Sequence, residues 1–387
     1  MTKQKLVVVG NGMAGARAVE EVLARGGAAM FDIVMFGAEP YGNYNRILLS
    51  NILSGQQDAS EIFMNPLDWY ADNGITLHAG ETVTAIDRAA RIVTSDTGTR
   101  EPYDVLLIAT GSRAFIPPVP GIFAGDKLRD GVFGFRTIDD CDAIVATAKR
   151  STRAAVIGGG LLGLEAARGL LNHGCEVHVV HLGGHLMEVQ LDATGGQMLR
   201  EGMEKMGITV HLAASTTEVR ADANGRVAGL TFKDGTMLDC DMLVVSAGIR
   251  PNAEIGRTAG LTVERAIVVD NHMRSVDDAR VYVVGECAQH RGMVYGLVAP
   301  LWDQAKVFAD HVTETNLDAQ YHGSKLATKL KVMGVELASM GITEPEEDGD
   351  ELIQFTEPRK GSYKKLIVRD GRLVGGILMG DISKAAY

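Results

Sequence analysis

The sequence predicts an α/β fold in which one strand–turn–helix–strand unit occurs twice and a strand-rich segment closes the chain. Three observations carry this. An apolar strand near the N-terminus runs into a glycine-rich turn and a helical pattern, and the same order returns from Ala154. Segments that break regular structure bracket the second copy: Ile116-Pro117-Pro118-Val119-Pro120-Gly121 before it and Arg250-Pro251-Asn252 after it. After Tyr321 the pattern changes to strands and hairpins.

The elements follow in order. Leu6 to Val9 is a continuous apolar run, as expected of a strand buried on both faces of a parallel sheet. A helical pattern runs from about Ala14 to Arg25, and Ile33 to Phe36 reads as the next strand. In the second copy, Ala155 to Ile157 and Val177 to Val180 read as strands around a helix at Leu164 to Asn172. Asp104 to Ile108 and Val281 to Val284 are further apolar strands. The acidic stretch Glu344 to Glu351 reads as a solvated loop. Tyr363 to Val368 and Leu373 to Leu378 read as a hairpin, because Asp370-Gly371 suits a two-residue turn with positive φ.

Both turns carry a phosphate-binding pattern. Gly10-Asn11-Gly12-Met13-Ala14-Gly15 and Gly158-Gly159-Gly160-Leu161-Leu162-Gly163 each match GxGxxG between a strand and a helix. Glycine permits the tight turn and lets backbone approach a pyrophosphate, while the helix N-terminus offers free N–H groups to the anion. Two dinucleotide-binding folds of the Rossmann type are therefore expected. An acid near the end of the second strand should read the ribose. In the first copy Glu39 is the candidate, slightly late. In the second copy the position holds His181, which weakens the case for NAD; yet no Arg or Lys lies between Arg168 and Arg200 to clamp the extra phosphate of NADP. The reading favours NADH over NADPH.

Composition excludes some classes. The net charge of −11 argues against nucleic acid, whose phosphates need clustered Lys and Arg. No apolar stretch is long enough for a membrane span or a signal sequence, and a cytoplasmic protein is expected. The four cysteines, Cys141, Cys175, Cys240 and Cys287, form no CxxC pair, so neither a metal site nor a disulfide framework is expected.

These motifs, in this order, resemble the two-dinucleotide flavoprotein superfamily that includes glutathione reductase and the ferredoxin and rubredoxin reductases. The resemblance covers essentially the whole chain. It implies that Gly10, Gly12, Met13, Ala14 and Gly15, with Glu39, Arg46 and Ser50, hold FAD. It implies that Ala109-Thr110-Gly111 marks a domain crossing, that Gly285-Glu286 binds the ribityl chain, and that Gly158, Gly160, Leu161, Leu162, Gly163, His181 and Gly248 hold NAD(P)H. Glu165 matches a family acid near nicotinamide and flavin. A closer resemblance is to the N-terminal flavoprotein part of the assimilatory NAD(P)H nitrite reductase large subunit, carried by Pro40 to Ser50, by His181 with Leu186-Met187 and Gln190-Leu191-Asp192, and by Gly285 to Trp302. It implies that Leu301 and Trp302 begin a helix whose N-terminus faces the flavin, where a positive dipole end would favour the reduced anion. Two departures stand out. No cysteine precedes Cys141, so a dithiol mechanism is excluded, and Asn51 follows Ser50 where ferredoxin-reductase relatives carry lysine.

The resemblance implies an FAD-binding domain at 1–115 and 251–318, an NAD(P)H-binding domain at 116–250 and a small α+β interface domain at 319–387. The expected activity is FAD-dependent NAD(P)H oxidoreduction, feeding single electrons to an iron–sulfur and siroheme partner; a homodimer is left open. The scattered cysteines cannot hold the partner's cluster, so nitrite reduction would need other parts. Asp381 to Tyr387 reads as the start of a helix, as in a chain that continues elsewhere. Two alternatives are a stand-alone NAD(P)H:rubredoxin or ferredoxin reductase and a flavin-binding sensor without turnover.

Overall fold

The computed structural model describes residues 2–325, 327–332, 334–383 and 385. It divides into two compact units: Met1–Arg46, Ser60–Arg113 and Ile249–Ser324 form the first, and Ile47–Ala59, Ala114–Gly248 and Lys325–Tyr387 the second.

The first unit is built on an eight-stranded sheet. At its centre the strand Gln4–Val9 lies parallel between Phe31–Gly37 and Val105–Ile108, with Leu6 opposite both Ile33 and Val105. Ile75–Ala79 and Asp278–Val283 extend the parallel part on either side. Leu6, Val7, Val8, Leu106, Leu107 and Ile108 are fully buried, which explains why these strands read as unbroken apolar runs rather than alternating ones. The helix Met13–Ala24 and the helix Val298–Val312 contribute Ala18, Val19, Val22, Ala305 and Phe308 to the same core.

The second unit repeats the plan. Val132–Gly134, Met242–Val245, Arg153–Ile157, Glu176–Val180 and Ile208–His211 form a five-stranded parallel sheet in that order. An antiparallel three-stranded sheet, Thr216–Ala221, Val227–Phe232 and Met237–Asp239, adds a second layer of core through Val219, Leu230 and Leu238.

The C-terminal part of this unit is a five-stranded antiparallel sheet, whose described helical content is the single turn Pro358–Lys360. Its hairpin Ser362–Arg369 and Arg372–Met379 turns at Asp370 and Gly371, both at positive φ (49° and 70°), as the Asp-Gly signal requires. The stretch 343–350 carries no strand and is largely exposed, and the strand Glu351–Glu357 follows it. The helix start expected over 381–387 lies partly outside the described residues; Asp381–Ser383 and Ala385 form only a turn, with Ala385 N–H donating to the Ile382 carbonyl at 2.9 Å. Among the described residues no helix is long and apolar enough to cross a membrane.

Candidate dinucleotide sites

The two glycine turns are built alike. Gly10 adopts φ +116° and Gly158 φ +130°, a region closed to other side chains in practice. A Cβ at Gly10 would overlap the Ala109 carbonyl oxygen, and one at Gly158 would overlap that of Ser246. The third glycines pack as tightly: a Cβ at Gly15 or Gly163 would overlap the carbonyl oxygen of Gly10 or Gly158. These four glycines are demanded by the fold itself. The middle ones are not. Gly12 has φ −82° and no atom closer than Arg46 Nε at 4.0 Å, and Gly160 has φ −85° and nothing within 4 Å. Each is the N-cap of its helix, and neither helix has an acidic residue in its first turn, which starts at Met13-Ala14 and at Leu161-Leu162. Each helix N-terminus thus carries neither a cap side chain nor a first-turn acid, which suits an anion before its positively polarised end.

Around the first turn the structure gathers several of the expected residues. A cavity of about 350 Å³ is lined by Gly10, Phe36, Ala38, Thr82, Thr110 and Asn252, among others. Glu39, Tyr44 and Arg46 form one network: the Tyr44 hydroxyl donates to Glu39 at 2.5 Å, Arg46 Nη1 donates to that hydroxyl at 2.8 Å, and Arg46 Nη2 pairs with the other Glu39 oxygen. The Arg46 guanidinium also lies over the Tyr44 ring, 4.7 Å from its centroid.

Two partners of this site escaped sequence reasoning. Asn252 Nδ2 donates to the Thr110 carbonyl at 3.0 Å while the Thr110 hydroxyl donates to the Asn252 carbonyl at 2.7 Å, locking the Ala109-Thr110-Gly111 turn. Gln304 Oε1, fully buried, accepts the Gly285 N–H at 2.8 Å. Gly285 takes φ +91° and approaches Ala14 so closely that a Cβ would lie 3.0 Å from the Ala14 Cβ. Glu286 is buried and accepts the Ser112 hydroxyl at 2.7 Å.

One expectation is corrected. Leu301 and Trp302 do not begin their helix, which starts at Val298; they lie in its second turn, with Pro300 before them. The pattern Leu297-Val298-Ala299-Pro300 is apolar throughout and carries no capping side chain, so the start was not legible as such. Arg17 stacks over the Trp302 ring at 5.2 Å from its centroid, and the buried indole N–H has no acceptor among the described residues. Such a donor costs stability unless something else receives it, so these residues fit a bound group that offers acceptors.

In the second unit, the Ser50 hydroxyl donates to the Ile47 carbonyl at 3.4 Å and acts electrostatically on Glu165 of the helix Leu161–Asn172. Burial pushes the Glu165 carboxyl up to about 7, and Ser50 partly offsets it. Ser50 lies on the segment Ile47–Ala59, which belongs to the second unit. Gly248, at φ +105°, accepts the Phe115 N–H at 2.9 Å where the chain leaves this unit. His181 follows directly on the strand Glu176–Val180, and its Nδ1 accepts the Gly159 N–H at 3.1 Å. All four cysteines are buried and free.

Two dinucleotide-type α/β folds and a small antiparallel C-terminal sheet define a two-dinucleotide reductase class. The chain belongs to the pyridine nucleotide-disulphide oxidoreductase family, whose model matches residues 4–305, and the rubredoxin NAD+ reductase C-terminal domain model matches residues 327–387. Proteins of this family bind FAD and NAD(P)H. The chain is 48% identical over 384 residues to a nitrite reductase [NAD(P)H] of Bacillus subtilis, covering 99% of this chain and 46% of that protein. It is 43% identical to the assimilatory nitrate reductase electron transfer subunit of the same organism, covering 98% of this chain and 48% of that one. It thus spans about half the length of these relatives. Among solved structures, NADH:rubredoxin oxidoreductase from Clostridium acetobutylicum matches with TM-score 0.81 and 25% identity, over 100% of this chain and 93% of that one.

Proposed function

We propose that this chain is the FAD-dependent NAD(P)H oxidoreductase part of a nitrite-reducing system, passing single electrons to iron–sulfur and siroheme domains or a separate subunit. The observation that carries this reading is the pair Gly12 and Gly160: two glycines the fold does not need, each before a helix N-terminus, in the two halves of one chain. Two pyrophosphates, one of FAD and one of a nicotinamide dinucleotide, account for both.

FAD, when bound, supplies the conversion of a two-electron donor to one-electron steps. The chain's own residues bind, orient and exclude. Gly10, Gly12 and Gly15 would admit the FAD pyrophosphate, Glu39 and Arg46 would frame the adenosine end, and Thr110, Glu286 and Trp302 would line the remainder. Gly158, Gly160 and Gly163 would admit the nicotinamide dinucleotide, with NADH preferred. Glu165, ionising near neutrality, would hold or release a proton beside the reaction. Under this reading 1–115 and 251–318 serve FAD, 116–250 serves NAD(P)H and 319–387 faces the partner. The cytoplasm is the proposed compartment.

The match of residues 327–387 to the rubredoxin-reductase C-terminal domain favours a second reading, reduction of a small iron–sulfur carrier. The test is turnover by the purified, flavin-loaded chain with NADH and NADPH. Ferricyanide should be reduced and nitrite left unchanged; rubredoxin reduced as fast as ferricyanide would favour the second reading. Ammonia formed from nitrite by the chain alone would overturn the need for a partner. A flavin that neither nucleotide reduces would instead mark a sensor.

A further inference from the structure

The residue directly after the second strand of a dinucleotide-binding unit normally reads the adenosine ribose. His181 stands there, but its ring is engaged by the chain. Nδ1 accepts the Gly159 N–H, and the ring lies so close that a Cβ at Gly159 would sit 2.6 Å from its Cγ. With Nδ1 an acceptor, the neutral imidazole carries its proton on Nε2. That nitrogen lies 3.5 Å from Glu188 Oε2, an electrostatic contact without hydrogen-bond geometry, and has no hydrogen-bond partner among the described residues.

Glu188 is placed by more than this contact. A Cβ at Gly183 would overlap Glu188 Oε1, and Gly183 is not at positive φ, so what the missing Cβ provides is room for the carboxylate. The carboxylate stays accessible, its side chain 46% exposed. Leu182 and Val189, 72% and 82% exposed, border the same loop and offer the apolar surface an adenine ring could cover. Together, Gly159 N–H, His181, Gly183 and Glu188 divide between several residues what one strand-end carboxylate does elsewhere. His181 receives the turn's N–H, and Glu188 brings the charge.

We infer that Glu188, positioned by His181 and Gly183, is the specificity residue that selects NADH over NADPH. The inference rests on the reading of Gly158–Gly163 as the nicotinamide dinucleotide site. A carboxylate accepts from ribose hydroxyls and repels a 2′-phosphate, and the sequence between Arg168 and Arg200 has no cation to compensate.

The test uses the flavin-loaded full chain, with NAD+ and NADP+ affinities from titration calorimetry beside kcat/KM for ferricyanide reduction. The wild type should prefer NADH. Glu188→Gln, nearly isosteric and on the surface, should lower the NADH-to-NADPH ratio by about tenfold or more, carried by KM and by the dissociation constants. Gly183→Ala should shift the ratio the same way by displacing the carboxylate. An unchanged ratio in Glu188→Gln, with both nucleotides still bound, overturns the inference and leaves the site reading intact. A wild type that prefers NADPH also overturns it. Undiminished binding of both nucleotides by Gly160→Val overturns the site reading, and the inference with it.

Discussion

Lys365 Nζ lies 2.8 Å from Asp192 Oδ2, and both side chains are only 4% exposed. Asp192 caps the helix Ala193–Lys205 through the Gly195 N–H at 2.9 Å and also accepts the Tyr363 hydroxyl, while Lys365 reaches Glu344 at 2.6 Å. The C-terminal sheet is thereby tied to the helix Ala193–Lys205 of the same unit. Removing one partner strands a buried charge, so Lys365→Met should cost about 3 kcal/mol in chemical unfolding. Burial acts to raise the Asp192 pKa, but its bonds to Lys365, Tyr363 and Gly195 outweigh that and hold it below the ordinary value. Its stabilising contribution is therefore present above the usual carboxylate range and lost as pH falls through the depressed pKa. A variant as stable as wild type would show the pair to be dispensable.

Gly12→Val should fold and purify normally yet carry little FAD, because a Cβ there comes no nearer to the protein than 4.0 Å, at Arg46 Nε, so the added bulk blocks a ligand before it strains the fold. Gly10→Val should fail to fold, since a Cβ there overlaps the Ala109 carbonyl oxygen. Acid-released flavin per chain separates the two outcomes. Full flavin in Gly12→Val removes the pyrophosphate from this turn.

The folded-state pKa of Glu165, about 7, lies above its ordinary 4.5, so the folded chain retains a proton that the unfolded chain releases between these values. Its contribution is complete below the lower value and disappears as pH rises through the higher one. The melting temperature of wild type minus that of Glu165→Gln should fall across this window, by an amount equivalent to about 3 kcal/mol. A difference independent of pH would show that Glu165 does not titrate there. Ser50→Ala should move the midpoint higher, because the hydroxyl stabilises the ionised form.

Asn252→Ala removes the donor to the Thr110 carbonyl and should destabilise the chain by about 1–2 kcal/mol. The lesion sits in the turn beneath Gly10, so flavin should dissociate faster as well. Unaltered flavin release, measured by recovery of free flavin fluorescence after dilution, would separate this turn from the cofactor site.

What the sequence by itself determined is local in origin. Both glycine turns, the helices they open, the buried parallel strands and the Asp370-Gly371 hairpin were legible because side-chain periodicity and positive-φ demands act within a few residues. The tertiary structure alone decided the partners. Thr110 with Asn252, Gly285 with Gln304, Ser112 with Glu286, and Asp192 with Lys365 are far apart in the chain. No periodicity encodes which distant side chain will meet a turn; sheet order and helix packing do. His181 with Glu188 shows the same limit at short range. The sequence displayed a strand end without its carboxylate, and only the path of the intervening loop, made passable by Gly183, returned one to it. Identity of residues is read along the chain, whereas charge and hydrogen bonding act through space.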